Sequence, residues 1–285
     1  MKLLRFRHAG AVDSGVLLGG RVIPFGEVNA RRGTALPREL PALIQGGDLT
    51  PLRDLRGLEG VPLADVTPLL PYESPPKIWC IGLNYHSHAV DINAVQPEEP
   101  GSFMKPSSCL FQPGGDIVLP PPEVSSDVDA EGELGVVIGR RCRFVPAEHV
   151  REVIFGYTKT LDLTALDVLA RNTRYLTRAK SIDTFLSFGP VIVTAGEVQD
   201  VGSLRVTTMH NGQVWSSDFV RHMRHAPDEL VRFHSDYFTL EPGDLISTGC
   251  PKGARIKAGD RVAADIEGIG RLEANVRQGS REPLY

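Results

Sequence analysis

The sequence predicts a mainly β protein of the α+β class, a mixed β-sandwich or roll with a few covering helices and a small N-terminal domain. Three observations carry this expectation. Turn formers are abundant, with 29 Gly and 22 Pro among 285 residues. Short apolar runs between those turns outnumber helical patterns, and they do not alternate with helices as a doubly wound parallel sheet requires. The 41% hydrophobic and 23% charged content supports a core and is too apolar for disorder.

Taken in order, Leu3–Phe6, Gly15–Leu18 and Val22–Phe25 read as strands, the last two joined by the hairpin pair Gly19-Gly20. Pro37–Ile44 reads as a short helix stopped by Gly46-Gly47. Residues 45–76 hold six prolines and little periodicity, which places a boundary between a small domain, 1–72, and a main domain, 73–285. Ile78–Ile81 is a buried strand ending at Gly82, and Asp127–Ile138 is a long one. A helix is expected from Pro146 to about Val153, and another from Leu163 to Tyr175, where Thr164 and Asp167 stand at capping-box spacing. Pro190–Thr194 is a strand, and Leu204–Val214 turns at Asn211-Gly212. Pro227–Tyr237 is a helix, and Arg261–Ile266 with Leu272–Val276 closes a hairpin around Gly268–Gly270.

Several function classes drop out. A net charge of −4 offers no basic field for nucleic acid. No apolar run approaches the ~18 residues of a membrane helix. Lys2, Arg5 and Arg7 are followed by Asp13, and no signal-peptide core forms. Cys80, Cys109, Cys142 and Cys250 form no C-x-x-C pair and read as free buried thiols. A soluble cytoplasmic protein without nucleic-acid or membrane partners is expected.

The chemistry concentrates in Ser126–Gly139. On a strand, Asp127, Asp129, Glu131 and Glu133 project from one side and Val128, Ala130, Gly132 and Leu134 from the other. Like charges leading into apolar Val136–Ile138 call for a cation to relieve repulsion and desolvation. Oxygen-only ligands suit Mg²⁺, Mn²⁺ or Ca²⁺. The alternative is a solvated acidic edge strand, protected from aggregation by its charges. Asp162, after an apolar strand and at the mouth of the expected helix, is either a third ligand or a plain N-cap.

From Lys77 onward the chain resembles the fumarylacetoacetate hydrolase family. The matching segments are Ile81–Ala89, Phe103-Met-Lys-Pro106, Asp129–Gly139, Gly156–Asp167, Lys180–Thr184 with Gly189-Pro190, Asn211-Gly212, Leu240–Gly249 and Glu267–Gly270. Lys2–Phe6 and Gly15–Leu17 also look like the small N-terminal domain of bacterial members. The resemblance implies a mixed β-sandwich roll carrying one Mg²⁺ or Mn²⁺ (Ca²⁺ as a stand-in) held by Glu131, Glu133 and Asp162. It assigns Lys180 to developing negative charge, and His88 with Asp91 to the orientation and deprotonation of water. It implies a small oxo or diketone substrate and a homodimer.

The expected activity is metal-dependent hydrolysis of a C–C bond in a β-diketone or acyl-oxo compound, with the metal stabilising the enolate that is left. A lyase or isomerase on the same scaffold (a 2-oxo acid decarboxylase or an enol–keto isomerase) is the alternative, and a divergent scaffold without turnover is a third. Tyr85, Lys105, Leu166, Leu169 and Thr248 are assigned to substrate binding, with a structural turn role equally open for Lys105.

The chain also departs from the family pattern. Asp91 stands where Glu is usual, and Leu166 and Leu169 replace an Arg and a Gln. On a helix, 162, 166 and 169 stack at i, i+4 and i+7, so a carboxylate clamp becomes an apolar wall, unless Arg171, Arg174 or Arg178 substitutes. The Thr-Gly-Thr-Pro turn reads Thr248-Gly-Cys-Pro251. His86 reads as a surface histidine and Arg221–His225 as a solvated basic loop.

Overall fold

A computed structural model of the chain describes residues 1–91 and 94–281, the Asp91 side chain excepted. The N-terminal segment forms β1 (Lys2–His8), β2 (Ala11–Leu18), β3 (Arg21–Pro24), α1 (Phe25–Arg32), α2 (Leu40–Gly46), β4 (Val61–Pro62) and β5 (Thr67–Pro68). The body continues with β6 (Ile78–Gly82), α3 (His86–Asp91), β7 (Gly101–Met104), β8 (Asp116–Leu119), β9 (Val128–Ile138), α4 (Val150–Val153) and β10 (Ile154–Ala165). Next come α5 (Leu166–Arg171), α6 (Leu176–Lys180), β11 (Leu186–Phe188), β12 (Val191–Thr194), β13 (Arg205–His210) and β14 (Gln213–Phe219). The chain closes with α7 (Pro227–Tyr237), β15 (Leu245–Ser247), β16 (Ala254–Ile256), β17 (Arg261–Ile266) and β18 (Gly270–Gln278). The α+β, mainly β class and most element positions match the sequence reading.

Two sheets form the body. The larger runs β4-β3-β2-β1-β12-β10-β9-β15-β6-β7, with β5, β11 and β16 pairing beside that path, and the smaller runs β14-β13-β17-β18-β8. β1 pairs antiparallel with β12, Leu3 opposite Ile192, so the N-terminal strands and the body share one sheet. Val128, Ala130, Leu161 and Leu163 of the larger sheet share a core with Val262, Ala264, Leu272 and Ala274 of the smaller. The sheets meet closely at Gly132, where an added Cβ would sit 3.1 Å from Ala264 Cα, and Gly132 N donates to Thr208 Oγ1 at 3.0 Å. A side chain at this position would crowd the facing strand.

One alternative falls away and three expectations are corrected. The acidic strand is not an edge: β9 lies between β10 and β15, and its 11 residues are all buried. Asp127 falls outside it and pairs at the surface with Arg255 at 2.7 Å. The helix expected from Leu163 begins at Leu166, because Leu163, Thr164 and Ala165 continue the β9 ladder opposite Ala130, Asp129 and Val128. Ladder hydrogen bonds and burial on both faces override the local capping signal. Phe25 opens α1 instead of ending a strand. Among the described residues no helix is long and apolar enough to cross a membrane.

Candidate metal centre

The β9–β10 ladder sets the site. Glu131 stands directly opposite Asp162, and Glu133 opposite Thr160. With Val128, Ala130, Leu161 and Leu163 turned into the core between the sheets, strand alternation puts Asp129, Glu131, Glu133, Thr160, Asp162 and Thr164 on the other face. One ligand oxygen from each of Glu131, Glu133 and Asp162 lies within 4.8 Å of the other two, and all three residues are buried.

Three buried carboxylates need compensation. Lys180, at the end of α6, donates to Glu131 Oε2 at 2.8 Å and to Asp162 Oδ2 at 3.0 Å. Lys105 donates to Asp162 Oδ1, to Leu163 O at 3.2 Å and to Phe185 O at 2.6 Å. Thr164 Oγ1 donates to Glu131 Oε1 at 2.9 Å. Glu133 Oε2 accepts from Ser247 Oγ and from Gly249 N, the latter at 2.9 Å.

The electrostatics follow from this arrangement. Burial works against the charged form of Asp162, but Lys105 and Lys180 outweigh it and hold the carboxyl below its ordinary range. Burial likewise opposes the Lys180 charge, and Asp162, Glu131 and Glu133 push it well above the ordinary value. Glu133 lacks its own lysine: burial first, then the Asp162 and Glu131 charges, push it up to about 8. Burial and Glu131 push Asp129 up to about 7. Carboxyls raised in this way mark a cluster short of positive charge. A hard divalent cation with oxygen preference fits that donor set and that deficit.

His88 reaches the same cluster. One ligand atom each of His88, Glu131 and Cys250 also lies within 4.8 Å of the other two. The chain around α3 is docked on the turn after β15: Asn84 Nδ2 donates to Thr248 O at 2.8 Å, and Ser87 Oγ to Pro251 O at 2.9 Å. His86 is exposed, as expected. The side chain of Asp91 lies outside the described residues.

The other expected contacts divide. Lys105 is turned inward onto Asp162, with all three ammonium hydrogens matched by acceptors. Tyr85 and Thr248 are fully buried; Tyr85 belongs to a core cluster with Leu134 and Val136, and Thr248 Oγ1 donates to Leu134 O at 2.8 Å. Leu166 and Leu169 do not stack over Asp162, because Asp162 is on the strand and the leucines begin the helix. Leu166 is half-buried, while Leu169 packs against the main core. Arg171 is engaged at the surface with Asp167, at 3.4 Å, and Val124 O, at 3.2 Å. The segment Arg221–His225 is solvated only in part: Arg221, His222 and Arg224 are exposed, but Met223 and His225 are buried, and His225 N donates to Asn84 Oδ1 at 2.9 Å.

Sequence reasoning missed Thr164, Ser247, Gly249 and Cys250 as members of the cluster. Thr164 follows Asp162 at strand period and was hidden by the helix assignment. Ser247 and Gly249 lie far from Glu133 in the chain, and no local signal links them.

Comparison with known proteins agrees with this architecture. Residues 77–277 match the family model described as fumarylacetoacetate (FAA) hydrolase C-terminal. The mitochondrial oxaloacetate tautomerase FAHD2A of Bos taurus is 35% identical over 95% of this chain and 90% of its own. Maleylpyruvate hydrolase from Sphingobium sp. SYK-6, solved with manganese(II) and pyruvate, superposes with a TM-score of 0.80 at 30% identity, over 98% of this chain and 100% of that one. A 5-carboxymethyl-2-hydroxymuconate delta-isomerase from Mycobacterium smegmatis gives a TM-score of 0.77 at 31% identity, over 99% and 100%.

Proposed function

The chain belongs to the fumarylacetoacetate hydrolase family, and from that premise we propose a divalent-metal-dependent enzyme that hydrolyses a C–C bond in a β-diketone or acyl-oxo compound. The observation that carries the reading is the convergence of a histidine on the carboxylate cluster, with a ring nitrogen of His88 within 4.8 Å of a Glu131 oxygen. Glu131, Glu133 and Asp162 would hold Mg²⁺ or Mn²⁺, which would supply Lewis acidity toward a substrate oxygen.

The chain's own residues supply the rest. Lys180 brings a fixed positive charge to the place where negative charge develops on a substrate oxygen as the C–C bond breaks. His88 takes a proton from water, whose oxygen adds to the substrate carbonyl, and then gives that proton to the carbon that leaves. Lys105 fixes Asp162 and Thr164 fixes Glu131, so neither carboxylate has to reorganise during the reaction. The working unit in this proposal is a cytoplasmic homodimer acting on a small molecule.

A second reading, enol–keto tautomerisation, is favoured by the 95% coverage of the oxaloacetate tautomerase match. There His88 would return its proton to carbon without cleavage. The two separate in D₂O with Mn²⁺ and either an acylpyruvate or a neutral β-diketone. Cleavage to two products supports the hydrolase, and deuterium entry at the central carbon without cleavage, faster than the spontaneous exchange in protein-free buffer, supports the tautomerase. Neither outcome with either substrate class overturns both.

A further inference from the structure

His88, Glu131 and Cys250 form a second donor set next to the three carboxylates, and it differs in kind. It offers an imidazole, a carboxylate and a thiol, each with one ligand atom within 4.8 Å of the others, and it shares Glu131 with the first set. Imidazole and thiolate suit zinc-like cations, whereas three carboxylates suit magnesium-like ones. We propose that His88, Glu131 and Cys250 are a soft-metal site for Zn²⁺, and that its occupation inhibits the enzyme by withdrawing His88 from water activation.

The fold builds this juxtaposition from two directions. Cys250 is 2% exposed and sits in the turn that follows β15. Asn84 and Ser87 hold the α3 region onto that turn through Thr248 O and Pro251 O, at 2.8 and 2.9 Å. Gly249 makes the contact possible: its φ is +93°, and an added Cβ would lie 2.9 Å from Asn84 Cβ and 3.0 Å from Ile81 O. The neighbouring backbone is equally tight, since a Cβ at Gly253 would fall 2.4 Å from Asp129 Oδ2. His88 is thereby set beside a buried thiol. A threonine at 250, as the family's turn would have it, offers no soft donor.

Binding is written simply. The Cys250 thiol proton passes to solvent as the sulfur–metal bond forms, and His88 and Glu131 complete a three-residue set. Because Glu131 serves both sets, Zn²⁺ here and Mg²⁺ at the carboxylates compete for one side chain. The site itself stands on the donor geometry; only its inhibitory effect rests on the proposed role of His88.

The test uses Co²⁺ as a spectroscopic probe in the full chain freed of metal with chelator. The natural protein should show a thiolate-to-cobalt charge-transfer band that Zn²⁺ abolishes by displacement. The band should vanish in Cys250→Thr and in Cys250→Ser, and should persist in Glu133→Gln, which alters the carboxylate set alone. Zn²⁺ affinity should fall at least about a hundredfold in either Cys250 variant, more than an outer-sphere change typically costs. If no such band appears at saturating Co²⁺, or if it survives in both Cys250 variants, the site is overturned. Inhibition by Zn²⁺ that is unchanged in folded Cys250→Thr would overturn the inhibitory role. An enzyme inactive on every enolisable substrate would refute the proposed function and leave the spectral result standing.

Discussion

Lys105 and Asp162 make a buried charge-assisted pair in which the lysine has no hydrogen to spare, its other two going to Leu163 O at 3.2 Å and Phe185 O at 2.6 Å. Lys180 takes the other oxygen of the same carboxylate at 3.0 Å. One lysine is thus committed to structure, and the other bridges two carboxylates.

Lys105→Met should therefore destabilise the metal-free protein by about 3–5 kcal/mol, the usual cost of removing one partner from a buried pair. Urea denaturation of both proteins in chelator measures it. A loss under 1 kcal/mol would mean that Lys180 alone suffices for Asp162.

Glu131→Ala should abolish binding of Mn²⁺ and all activity while the chain stays folded, because two hard ligands are too few for a weakly held divalent ion. Lys180 keeps Asp162 as its partner in this variant. Electron paramagnetic resonance of free Mn²⁺, with circular dichroism as the folding control, decides the matter. Full activity in excess chelator would end the metal proposal.

His88→Ala should lower the hydrolytic kcat at least about a hundredfold, within the range of general-base contributions. Mn²⁺ binding at the three carboxylates should survive. Unchanged hydrolysis would place water activation elsewhere.

Lys159 is 1% exposed, on the strand that carries Asp162 but outside the metal cluster. Burial first, then Lys2, push its ammonium down from 10.5 to about 7, against a small opposing pull from Asp265. The unfolded chain then binds more protons than the folded one between about pH 7 and 10, so this residue makes stability rise with pH across that window and fall as the pH is lowered through it. Lys159→Met should raise the Tm at pH 7 and flatten the slope. A Tm profile that keeps its slope in the variant would show that Lys159 stays charged in the folded protein.

Much of the site was legible because strand period is strict. The spacing of Asp129, Glu131 and Glu133 gave one acidic face without any tertiary knowledge, and Pro227–Tyr237 and the Asn211-Gly212 hairpin were read from local signals alone. Asp162 was legible as a residue and misplaced as an element: Thr164 and Asp167 mimic a cap, while the ladder to β9 keeps the strand going to Ala165. The inward turn of Lys105 and the approach of Cys250 to His88 depend on contacts between distant segments, which no local pattern encodes.

The seam between β1 and β12 joins the start of the chain to a strand made much later, Leu3 opposite Ile192. Pairings so distant in sequence close slowly, because most of the chain must be ordered before they form. Until then Val191–Val193 presents open backbone groups that would template another chain's strand. Once paired, the N-terminal hairpin covers that edge, and a chain shortened by the hairpin should aggregate on refolding even though every residue of the metal cluster is still present.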